Sequence, residues 1–99
     1  MRTREPRFYY TYIMGSKSGV LYVGVTGDMM TRAAQHKSRA TPGFTSHYRV
    51  TRLLYFDEFG SPTEATACEK ELKGWRRTRK LDLIRSKNPK GKDLSAEWL

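Results

Sequence analysis

Tyr12, Tyr22, Arg32 and His36 are residue types that can handle a phosphate group, and their spacing allows them to meet. A phenol hydrogen-bonds to a water or a phosphate oxygen. With an ordinary pKa of about 10 it is protonated at neutral pH, so it acts as a base only beside a metal or a cation. Arginine presents a planar fork that fits two phosphate oxygens at once. Histidine titrates near neutrality and can accept or relay a proton. A fifth candidate, Glu69, falls in a later helical segment beside an apolar stripe, where a carboxylate can face a cleft. Glu64 and Glu71 are close enough in sequence to compete with it.

Two strands and a helix would bring the first four to one surface. In residues 8–14, alternation puts Phe8, Tyr10, Tyr12 and Met14 on one face and Tyr9, Thr11 and Ile13 on the other. In residues 20–25, Val20, Tyr22 and Gly24 share a face. Ser16-Lys17-Ser18-Gly19 between the two runs is turn chemistry, so they pair as a hairpin. Gly24, without a side chain, lets another backbone or a ligand phosphate approach. Asp28 is placed to cap a helix over 29–38, on which Arg32 and His36, four apart, are neighbours.

Residues 39–49 read as a loop in which Phe44 and Tyr48 are available to pack or to stack on a base. Residues 50–57 read as a third strand. A helix over 63–74, capped by Ser61 or Thr63, buries Ala65, Cys68 and Leu72, and a last helix over 77–87 turns Leu81 and Ile84 inwards. Asn88-Pro89 ends that helix, and 94–99 folds back through Leu94 and Trp98. Residues 1–7 read as a mobile lead-in to one domain spanning 1–99. The expected fold class is α+β, a sandwich-like arrangement of a three-stranded antiparallel sheet flanked by about three helices.

Tyr10-Thr11-Tyr12, Tyr22-Val23-Gly24, Arg32 ten residues past Tyr22, and Glu69-Lys70-Glu71-Leu72-Lys73 resemble, in that order, the motifs of the GIY-YIG nuclease superfamily. Thr26-x-Asp28, Arg32-x-x-x-His36, the Gly43-Phe44-Thr45 turn and Asn88-Pro89 with Asp93-Leu94 look like its small single-domain bacterial branch. The resemblance covers nearly the whole chain. It implies the GIY-YIG endonuclease fold, with Tyr12 on the base side, Arg32 as phosphate clamp and Glu69 as ligand to Mg²⁺ or Mn²⁺. Such a cation stabilises charge on the phosphate oxygens and helps the leaving oxygen depart; Mg²⁺ commonly takes only one or two protein carboxylates. The first tripeptide keeps only the final tyrosine of its motif. Val25 stands where some members carry a lysine, which raises the claim of His36 as proton relay.

The charge balance is 19 Lys and Arg against 10 Asp and Glu, a net +9. No acidic residue falls between Asp28 and Asp57, and a basic cluster from Lys70 to Lys80 follows Glu69. An excess of this kind is an electrostatic footprint for phosphate, and Arg39, Arg49, Lys73, Arg76 and Arg77 are the expected nucleic-acid contacts. Cys68, the single cysteine, excludes an internal disulfide and suits a reducing cytoplasm; one Cys and two His are too few for a zinc cluster. No apolar run is long enough to span a bilayer, and the charged N-terminus shows no signal peptide. Tyr9, Tyr10, Tyr55 and Cys68 read as packing and His47 as a loop residue. The expected activity is metal-dependent cleavage of DNA, in repair or recombination, with RNA an open alternative substrate. The competing expectations are a nucleic-acid-binding module of the same fold with weak or no activity, and a basic protein docked on a larger repair or ribonucleoprotein complex.

The charge pattern predicts DNA affinity that falls steeply with salt, because each neutralised phosphate releases counterions. Binding titrations at about 50 and 200 mM salt measure this, and equal affinity at both would remove the basic face as the contact surface.

Overall fold

The structure, a computed structural model, describes residues 8–38 and 43–98. The expectations for residues 1–7 and for Arg39 lie outside these. Tyr9–Gly15 (β1) and Leu21–Thr26 (β2) pair antiparallel, with Tyr12 opposite Gly24 and Met14 opposite Tyr22. The turn closes as its residue types require. Ser16 Oγ accepts from the Val20 N–H at 2.9 Å, and Gly19 adopts φ 98°, a left-handed conformation that glycine enters without a Cβ clash.

The chain then enters a helix, Met29–Ser38 (α1). Asp28 caps it, Oδ1 accepting from the Thr31 N–H at 3.1 Å. The segment expected to be a loop contains one helical turn, Phe44–His47 (α2), so four helices flank the sheet among the described residues rather than about three. The next strand, Arg52–Phe59 (β3), begins two residues later than the apolar pattern suggested. Val50 is buried, but its N–H is committed to the Thr45 carbonyl at 2.9 Å, which makes it part of a corner instead of a ladder.

β3 pairs with the other side of β1, giving the order β2-β1-β3. Ile13 faces Tyr55 while Met14 faces Leu53, so Leu54 is an extra residue, a β-bulge. Leu54 and Tyr55 consequently pack into one layer, and Leu53 and Phe56 into the other. The bulged Leu54 carbonyl is satisfied by Asn88 Nδ2 at 3.0 Å.

Tyr12, Met14 and Leu53 form one core layer with Met29 and Ala33 of α1, backed by Leu94 and Trp98. Ile13, Val23 and Tyr55 form the other, under Leu72 of Pro62–Gly74 (α3) and Ile84 of Arg77–Lys87 (α4). Ser61 is the cap of α3, its Oγ accepting from the Glu64 N–H at 3.1 Å, with Pro62 opening the helix. Burying a side chain such as Leu53 contributes about 1.5–3 kcal/mol, so the two layers carry most of the stability.

The C-terminal segment fastens α1 to β3. Asp93 accepts from Lys37 Nζ, from the Leu53 N–H at 3.1 Å and from both the N–H and the hydroxyl of Ser95. Leu94 N–H then donates to Leu53 O at 2.8 Å, occupying the outer edge of β3. Burial alone would push the Asp93 carboxyl up, but Lys37, Ser95 and Leu53 pull it further down, to below its ordinary value. A carboxyl depressed in the folded state stabilises fully above its unfolded pKa of about 3.9, and the contribution drains away as pH falls through the folded value. Asp93→Asn is therefore expected to cost about 1–2 kcal/mol at pH 7 and much less near pH 3. Urea unfolding of both proteins at the two pH values measures the difference, and an equal penalty at both would disprove the ionic role.

Candidate active site

Tyr12 is fully buried at the centre of the sheet, directly opposite Gly24. Its ring lies over that glycine so closely that a methyl group built on Gly24 would coincide with the phenol end of the ring. The sequence suggested that Gly24 admits a backbone or a ligand phosphate; the structure corrects this, because the space is filled by Tyr12 itself. Pleat alternation carries Tyr22 to the same face, and the two rings lie 6.3 Å apart between centroids.

His36 completes the cluster from α1. It is 6% exposed, its ring centroid is 5.7 Å from each tyrosine ring, and its Nε2 is 3.1 Å from the Tyr12 hydroxyl. Either atom can hold the proton, depending on the tautomer. In both cases His36 Nδ1 is buried without a partner among the described residues. Burial, and then the Arg32 guanidinium one helical turn away, hold the imidazole below its ordinary 6.5, so the ring is neutral at pH 7.

The Tyr12 phenol moves the opposite way. Burial first, then Tyr22, push it well above its ordinary 10.0; Arg32 pulls it down, and the Glu69 carboxylate pushes it up again. Glu69 comes from α3, in the layer across the sheet from α1, and its influence is the smallest of these. The Tyr12, Tyr22 and His36 rings, from β1, β2 and α1, form one packed environment. At rest that environment holds a protonated phenol hydrogen-bonded to a neutral imidazole.

Glu69 is mostly buried, its side chain 16% exposed, and Oε2 pairs with Lys73 Nζ at 3.3 Å. Among the described residues no three His, Cys, Asp or Glu side chains gather into a metal cage. One carboxylate suits a hard cation that completes its shell with water and substrate phosphate, and it does not suit zinc. Lys73, expected as a nucleic-acid contact, pairs with Glu69 while about half of its side chain stays exposed, so a metal on Glu69 would compete with its ammonium. Arg49, Arg76 and Arg77 are exposed, and Arg77 reaches the β1–β2 turn beside Gly19. Glu71 is exposed, and Cys68 is half-buried against the sheet.

The sequence singled out Asn88 and Asp93 as motif residues without their roles as polar anchors behind the site. Asn88 links the Leu54 bulge to the Lys92 backbone, and Asp93 ties Lys37, the residue after His36, to β3. Nothing local marks those roles: the bulge is hidden within an apolar run, and the partners of Asp93 lie up to 56 positions away.

Tyr12 over Gly24, with Arg32 and His36 on the first helix and Glu69 on a later one, follows the order of the motifs seen in the sequence. The family described as "GIY-YIG catalytic domain" matches residues 8–82, and the chain belongs to that family. It is similar to the UPF0213 protein of Staphylococcus saprophyticus, 34% identical over 76 residues that cover 77% of this chain and 93% of that one. The UPF0213 protein of Clostridium perfringens is 32% identical over 88 residues, covering 89% and 95%. The solution NMR structure of the UPF0213 protein from Bacillus halodurans matches the fold with a TM-score of 0.56 at 30% identity, over 90% of this chain and 96% of that one. No helix among the described residues is long and apolar enough to cross a membrane.

The His36 environment has a measurable signature. A histidine whose folded pKa is depressed stabilises fully above its unfolded value of about 6.5, and stability declines as pH falls from there towards the folded value. Two-dimensional NMR of the imidazole signals should show His36 titrating below 6.5. A midpoint at or above that value would mean the ring is not in the dry, Arg32-facing position described.

Proposed function

We propose that this protein is a metal-dependent endonuclease that hydrolyses DNA phosphodiester bonds. The observation that carries this reading is the Tyr12–His36 hydrogen bond at 3.1 Å, with Arg32 on the same helix as His36. Arg32 grips two oxygens of the scissile phosphate and fixes its orientation. Tyr12, held by the space over Gly24, positions the attacking water, and Tyr22 offers a second hydroxyl to the water or the phosphate. As the water loses a proton to the Tyr12 oxygen, the phenol proton passes to Nε2 of neutral His36, so charge does not accumulate on the phenol. A divalent cation, Mg²⁺ or Mn²⁺, held by Glu69 would neutralise the phosphate oxygens and assist the leaving oxygen.

One observation favours a second reading, a nucleic-acid-binding module with weak or no activity: Lys73 already neutralises Glu69. Single-turnover cleavage by the wild type, Glu69→Gln and Glu71→Gln at saturating Mg²⁺ separates the two. Glu69→Gln should abolish cutting while DNA binding survives, and Glu71→Gln should cut normally. Arg32→Lys should slow the reaction on the order of 10²-fold, having the charge without the fork. Loss of activity in Glu71→Gln alone would put the metal ligand on the wrong carboxylate. Normal cutting by both glutamine variants would remove either carboxylate as the metal ligand, and no cutting by the wild type would leave the binding module as the function.

A further inference from the structure

Phe44 and Tyr48 are 50% and 46% exposed, two of the four large apolar side chains left open among the described residues, with Phe8 and Met30. Their exposure is built into the corner that carries them. Thr45 and Val50 are buried there, Val50 N–H donates to Thr45 O at 2.9 Å, and Tyr48 N–H donates to Phe44 O at 3.0 Å. The corner is thus anchored from within while both rings face outwards. The rings also continue the site: Tyr22 to Phe44 is 6.3 Å between centroids, and Phe44 to Tyr48 is 4.8 Å. An aromatic strip therefore runs from the Tyr12–Tyr22–His36 cluster to the surface.

At its outer end Tyr48 borders a cavity of about 560 Å³, lined also by Ser16, Lys17, Ser18, Arg49 and Thr51. Two cations and three hydroxyls make that lining suitable for a phosphate. Arg49 occupies φ 56°, the left-handed region in which a non-glycine residue is strained. A guanidinium stands at a position where glycine would be easier for the backbone.

We infer that this corner is a nucleotide subsite outside the reaction centre: an unpaired base stacks on Phe44 and Tyr48, and its phosphate lies in the cavity beside Lys17 and Arg49. The inference rests on the nuclease reading and adds the class of substrate to it. Where the strand crosses the corner it must be single, because a base within a duplex has both faces covered by its neighbours. Aromatic platforms interleaved with positive charge are how proteins hold single strands without reading sequence.

Fluorescence anisotropy in EDTA, where nothing is cut, tests this with three DNA probes: an oligothymidylate strand, a strand of equal length built of abasic sites, and a blunt duplex. The wild type should bind the base-bearing strand more tightly than either of the others. Phe44→Ala and Tyr48→Ala should each lose about 5- to 100-fold in affinity for that strand, as expected for one lost stacking contact, and little for the abasic strand. Arg49→Gly relieves the strained backbone, so it should melt no lower than the wild type. It should nevertheless bind both single strands more weakly, with a salt slope smaller by about 0.7, the value of one phosphate contact. Melting curves check that the alanine variants are folded. Equal wild-type affinity for base-bearing and abasic strands, a preference for the duplex, or equal losses on all probes would overturn the subsite and leave the nuclease reading standing. Binding to none of the three probes would overturn both.

Discussion

The Tyr12 ring occupying the space that Gly24 leaves empty is the constraint on which the rest of the structure depends. β1 is the middle strand, and this contact sets its register against β2: a slip of one residue would put Val23 or Val25 beneath the ring. The same contact determines where the Tyr12 hydroxyl can be. α1 must then approach closely enough for His36 to reach that hydroxyl, which is why Met29 and Ala33 are buried against β1 while Arg32 stays half open. Sheet register and site geometry are a single packing decision.

Burial at that contact also sets the electrostatics. The phenol is pushed up and the imidazole down by the same dry surroundings, so the resting pair carries no charge although the chain carries +9. The charges stand around the pair: Arg32 on one side, Glu69 with Lys73 on another, and the arginines of α4 beyond. Asp93 applies the opposite solution to Lys37, a paired charge that fastens α1 to β3.

Much of this was legible in the sequence because it depends on local periodicity. Tyr12 and Tyr22 fall on one face by alternation, Arg32 and His36 on one side of α1 by helical spacing, and Asp28 and Ser61 cap their helices through their own side chains. Those relations involve neighbours within a few residues, and residue type is enough to specify them. The ordered set of motifs pointed to the family for the same reason, since each motif sits at the end or middle of one short element.

What only the tertiary structure decided are relations between groups far apart in sequence. The emptiness at Gly24 is filled by a residue 12 positions earlier, and the bulge at Leu54 is paid for by Asn88, 34 positions later. The anchoring of Lys37 by Asp93 joins α1 to β3 across 56 positions. The α2 turn is closed by His47 N–H to Gly43 O and Tyr48 N–H to Phe44 O, and Val50 N–H is held by Thr45 O ahead of β3, bonds for which an apolar run gives no signal. Composition and spacing determined which polar and aromatic side chains this protein carries and on which face of each element; the packing of two layers on one three-stranded sheet decided which of them meet, because burial and long-range contact exist only once the layers have closed.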